Sequence, residues 1–203
     1  MVASIPPPRS WDEAGATLLA LANADLDRGG DPLPSLLAFE GDDPLGLVAL
    51  RPFGPGELLQ PLVEVLALLV PLGADRLALL LPARAWSAED PIVPVTDEGD
   101  LRQRVVLLTT ADAHGRACRT RTSIHPYDAV GGRTRWGDPL HPAGTPDAPV
   151  VSALAALLDE RRRLTEDAED VAVAAQLARV LLLGHELALA PPASARLAAA
   201  ALR

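Results

Sequence analysis

Residues 76–81, Arg-Leu-Ala-Leu-Leu-Leu, present an almost unbroken apolar run. It is too short for a typical helix, and Pro71, Gly73 and Pro82 punctuate it on both sides, so it reads as a strand. A strand with no polar face is one that is covered on both sides. The chain must therefore build a layer over each face of a sheet, and the flanking sequence has to supply those layers.

It does so in a recognisable order. Ser10 followed by Glu13 reads as a capping box, with Trp11, Ala14, Leu18, Leu21 and Ala22 at helical spacing and Gly29 and Gly30 as the stop. Two apolar runs, 35–40 and 45–51, are separated by Gly-Asp-Asp-Pro and predict a hairpin with a four-residue loop. A second helix is expected from about Leu59, with Pro61 tolerated in its first turn, to Val70. After the central strand, residues 82–101 hold three prolines and five acids and read as irregular. A hairpin over 102–124 follows, then a second irregular stretch, 125–148, rich in Pro and Gly. The remainder predicts a helix to about Leu164 and another from Thr165 to Ala190, opened by Glu166, Asp167, Glu169 and Asp170. Pro191 and Pro192 end it before a short helix capped by Ser194.

The expected fold is α/β of the α+β type, a five-stranded, mostly antiparallel sheet in the order helix-strand-strand-helix-strand-strand-strand-helix, with added C-terminal helices. Over residues 10–164 that order resembles the roadblock and longin-like domains, whose five-stranded sheets carry helices on their faces. The resemblance implies dimerisation. The expected division is a sheet domain over 1–148 and a helical segment over 149–203, packed on it or on a partner.

Charge and composition remove several function classes. A net charge of −9 argues against nucleic-acid and anionic-membrane binding, which need surplus cations. All 18 basic residues are arginine, a bias that carries no site information by itself. Cys118 is the single cysteine, so no internal disulfide can form and the spacing on its strand makes it a small buried residue. The first residues, Met-Val-Ala-Ser-Ile-Pro, lack a signal core, and Pro71 and the polar residues Gln176, Arg179, His185 and Glu186 interrupt the longest apolar runs. A cytoplasmic location is expected.

The distinctive chemistry is the Arg-bearing hairpin. With His114 and Gly115 as a two-residue turn, Ala111 faces Cys118, Leu107 faces Thr122 and Val105 faces Ile124, which puts Arg119, Arg121 and Ser123 together on the opposite face. A three-residue turn would shift the pairing by one. Arg119 and Arg121 project side by side and, with Arg104, are the expected anion or partner contacts. Their occupant is the chain's own acidic stretch from Glu89 to Asp100, a protein partner or a small anion. The histidines give less. Asp112, His114, His125, Asp128 and His141 supply metal-type ligands in one region, but at no known ligand spacing. No nucleophile elbow or phosphate loop is present. No cofactor is implied. The sequence therefore points to a non-catalytic, self-associating interaction module; the alternative is a small metal-assisted hydrolase with His125 and His141 as its catalytic candidates.

Overall fold

The apolar run at 76–81 lies in the middle of a seven-stranded antiparallel sheet. The structure, a computed structural model, describes residues 8–54, 56–85, 102–114, 118–130, 133–141, 149–166 and 173–201. The strands are β1 (Ser35–Glu40), β2 (Asp43–Ala49), β3 (Arg76–Ala85), β4 (Gln103–Asp112), β5 (Arg119–Val130), β6 (Arg133–Trp136) and β7 (Glu186–Leu189). They lie in the order β6-β5-β4-β3-β1-β2-β7. The helices are α1 (Ala14–Asp27), entered through a 3₁₀ turn at Trp11–Glu13, α2 (Leu59–Leu69), α3 (Pro149–Glu166), α4 (Val173–Leu182) and α5 (Pro191–Ala201).

β3 is covered on both sides, and alternation divides its side chains between two cores. Leu77, Leu79 and Leu81 join one core with Leu62, Val65, Leu66 and Leu69 of α2, Leu154 and Leu158 of α3, Val180 of α4 and Ala193 of α5. Ala78 and Leu80 join the other, with Leu18 and Ala22 of α1, Phe39 of β1 and Val106 of β4. Each fully buried leucine contributes about 1.5–3 kcal/mol relative to exposure, and nearly all of this packing is aliphatic. No helix among the described residues is long and apolar enough to cross a membrane.

Seven strands replace the five that the pattern predicts, and both additions lie in stretches expected to be something else. β5 runs on to Val130 and β6 pairs with it, so residues 125–130 and 133–136 are not irregular. In β6 the exposed Arg133 and Arg135 alternate with half-buried Thr134 and Trp136. β7 replaces the end of the expected 165–190 helix. Gly184, at φ 92°, stops α4: the His185 amide donates to the Val180 carbonyl at 3.3 Å and the Gly184 amide to Leu181 at 3.1 Å. This is the same Gly-terminated cap that ends α1 at Gly29 and α2 at Gly73. Leu187 and Leu189 then turn inward while Glu186 and Ala188 face out. With β6 before α3 and β7 between α4 and α5, the element order departs from the roadblock and longin-like one. Pro191 opens α5 rather than only breaking its predecessor, as a residue without an amide hydrogen can at a first helical position.

Three local expectations also change. The β1–β2 turn is Gly41–Asp42 and not four residues long. β3 extends to Ala85, so the irregular stretch begins later than Pro82. Ser10 makes no capping bond; Glu13 instead accepts from the Arg9 amide at 2.8 Å and the helix starts in 3₁₀ geometry.

β7 is held by side chains as well as by its ladder to β2. The Glu64 carboxylate of α2 accepts from Arg51 Nε at 2.8 Å, Arg51 Nη2 at 3.0 Å and His185 Nε2 at 2.9 Å. Arg51 donates its own amide to His185 Nδ1 at 3.2 Å, which fixes the imidazole proton on Nε2. Gly46 of β2 allows the close approach, because a Cβ there would lie 2.8 Å from the Ala188 carbonyl oxygen. Gly46→Val should therefore cost about 1–3 kcal/mol and selectively strip amide-exchange protection from residues 186–190. Unchanged protection there would refute the tight-approach argument.

Candidate functional site

Arg119 and Arg121 stand on the α1 face of the sheet, as their alternation predicts, although the partner residues move by two. Asp112 faces Arg119, Thr110 faces Arg121, Leu107 faces Ile124 and Val105 faces Pro126. A two-residue shift preserves parity, so the face assignment survives while the individual pairs do not.

The two arginines line a concavity of about 490 Å³ between the start of α1 and the ends of β4 and β5. Trp11, Asp12 and Gly15 form its helical wall, Thr110, Asp112 and Ser123 its strand floor, and His141 its far rim. Gly15 brings the helix down: a Cβ at that position would meet Leu108 Cδ2 at 3.0 Å. Trp11 is fixed edge-on to Phe39, with ring centroids 5.3 Å apart, and carries the Arg76 guanidinium 5.7 Å from its centroid.

Three of the neighbouring acids, Asp42, Asp75 and Asp112, are already engaged. Arg76 donates to Asp42 at 2.7 Å and to the Gly41 carbonyl at 3.0 Å, and its Nε lies 3.1 Å from Asp112. Asp75 accepts from the Gly41 amide at 2.8 Å and bonds His114 Nδ1. Burial works to raise the Asp112 carboxyl, but the His114 amide and the Arg76 guanidinium outweigh it and hold the group below the usual carboxylate range. Arg119 and Arg121 are exposed and make no ion pair or side-chain hydrogen bond with any described residue. Their Cα atoms are about 7 Å apart, the spacing of alternate residues on an extended chain.

The remaining expected residues are scattered. Arg104 faces Arg84, about 25 Å along β4 from Asp112, so it does not join the arginine pair. Asp128 lies at the same far end and accepts from Gln103 at 3.1 Å. His125 bonds Ser123 Oγ through Nε2 at 2.8 Å, and burial together with the nearby His141 lowers its pKa, which favours the neutral ring. No carboxylate among the described residues holds its other nitrogen, so the pair lacks the orienting group of a catalytic triad. Among the described residues no three His, Cys, Asp or Glu side chains are placed to hold a metal ion. Of the five proposed ligands, Asp112 ends β4 and His114 follows it, His125 and Asp128 lie on β5, and His141 lies beyond β6. Cys118 is half-buried against the larger core, and burial, aided by Asp159 and Asp112, pushes its thiol up, away from reactivity. Residues 89–100, the expected acidic counterpart of the arginine pair, lie outside the described residues.

Trp11, Thr110 and the Asp75–Arg76 pair are members of this region that the sequence does not single out. Ser123 is legible in the strand alternation, and His141 is reached because the Leu140 amide and carbonyl exchange bonds with Ile124 at 2.8 and 2.9 Å. No protein-family model, curated protein or solved structure matches the chain.

Proposed function

We propose that the protein is a cytoplasmic, non-catalytic interaction module that takes an acidic segment of a protein partner on Arg119 and Arg121, with a second copy of the chain as that partner. The observation that carries the reading is the exposed arginine pair, without a partner among the described residues, in a walled concavity of a protein with net charge −9. Its spacing suits carboxylates at alternate positions of an extended segment, and the sequence itself contains Glu98-Gly99-Asp100.

Exposed ion pairs contribute ~0–1 kcal/mol each, so the contact sets register and selectivity more than strength. Multi-angle light scattering over a concentration series gives the test. The wild type should be dimeric at low ionic strength. Arg119→Glu combined with Arg121→Glu should raise the dimer dissociation constant at least about tenfold, and high salt should do the same to the wild type. A wild type that stays monomeric at every concentration, or a double variant that dimerises equally well, would overturn the proposal.

A further inference from the structure

On the sheet face opposite α1, a second cavity of about 640 Å³ opens between α2 and α4, within the usual range for small-molecule sites. Its two sides have different chemistry. Leu59, Val63 and Ala67 form one apolar stripe along α2, and Leu59 is half exposed there. The stripe is about 12 Å long. Facing it, Gln176 and Arg179 lie one turn apart on α4. The Arg179 guanidinium is exposed and has no partner among the described residues.

The buried charge of the cavity is already satisfied. Glu64 is saturated by Arg51 and His185, and Glu57 accepts from the Gly54 amide at 2.8 Å. Gln176 Oε1, by contrast, is buried with no hydrogen-bond partner. Buried polar atoms in stable folds are almost always paired; rotation of the amide about its terminal torsion turns Oε1 or Nε2 into the cavity that the Gln176 side chain lines, and a ligand hydroxyl satisfies either one. We propose that this cavity binds a small amphipathic carboxylate carrying a hydroxyl group, its carboxylate on Arg179, its hydroxyl on Gln176 and its apolar body along Leu59, Val63 and Ala67.

Titration calorimetry of the full chain tests this with three probes that share one alkyl body: 3-hydroxyoctanoate, octanoate and octylammonium. The hydroxy acid should bind about tenfold more tightly than octanoate, the worth of one good hydrogen bond, and octylammonium should not bind. Gln176→Leu should erase the hydroxyl's advantage while leaving octanoate binding intact, and Arg179→Glu should weaken both acids at least about tenfold without shifting the melting curve of the free protein. Saturable binding of octylammonium, equal affinity for the two acids, or no heat from either acid at millimolar concentration would each overturn the proposal. Arg119→Glu with Arg121→Glu should leave all three titrations unchanged, which separates this site from the interaction surface on the other face.

Discussion

Glu64→Ala should lower the free energy of unfolding by about 3–5 kcal/mol, the range for breaking one side of a buried ion pair. The Glu64 side chain is 4% exposed and is the common acceptor for a guanidinium and an imidazole. Its removal strands the fully buried His185 N–H, and Arg51 loses both of its bonds to the carboxylate. Arg51 retains some access to solvent, which places the loss toward the lower end of the range. The same network gives a pH signature. The two bonds from Arg51, reinforced by His185, hold the Glu64 carboxyl at about 2 against an ordinary 4.5. Because the folded-state value is the lower one, the stabilisation is fully present above pH 4.5 and drains away as the pH falls toward 2. It amounts to about 3 kcal/mol. Urea titrations of the wild type should steepen across that acid window, and Glu64→Gln should remove this component of the slope. A variant with the wild-type acid profile would show that the network contributes nothing.

Phe39→Ala should cost a similar amount, about 3–5 kcal/mol, for a different reason. Phe39 is fully buried in the smaller core, where it is one of few aromatic rings. It also supports the Trp11 ring that forms a wall of the arginine concavity. Trp11 would tilt into the vacated volume, and Arg76 would lose its aromatic contact. Urea unfolding should register the stability loss, and dimerisation should weaken under conditions where the variant is still folded. Phe39→Leu, which keeps most of the volume, should cost less than about 1.5 kcal/mol. Equal costs for the two variants would mean that the cavity collapses freely and the ring supports nothing.

How much of this was legible in the sequence depended on whether the signal was local. The unbroken apolar character of β3 announced cover on both faces, and its leucines do divide between two cores. Gly29 and Gly73 marked helix ends, and Gly184 obeys the same rule; it escaped notice because the sequence stays apolar on both sides of it, and apolar runs of that length do not separate helix from strand. The Arg119–Arg121 face was readable from alternation alone, since a shift of two residues cannot change it. Trp136, in a stretch whose Pro and Gly content predicts irregular structure, anchors a strand instead, its Nε1 donating to Asn23 Oδ1 at 3.0 Å and its ring tilted against Tyr127. The sequence groups Arg104 with the arginine pair and Asp128 with the candidate metal ligands, and extended strands carry both to the other end of the sheet. The Arg51–Glu64–His185 network had no sequence signature at all, because its members converge from three separate parts of the chain.

β7 reaches its place beside β2 from about 140 residues downstream. During synthesis the edge of β2 therefore stays without this partner until residues 186–189 have emerged, well after Arg51 and Glu64. Such distant pairings are slow to close and leave nascent edges open to competitors. The seventh strand acts in this sense as a clasp: one edge of the sheet is covered, and the Arg51–Glu64 pair joined by His185, only when this distant segment arrives.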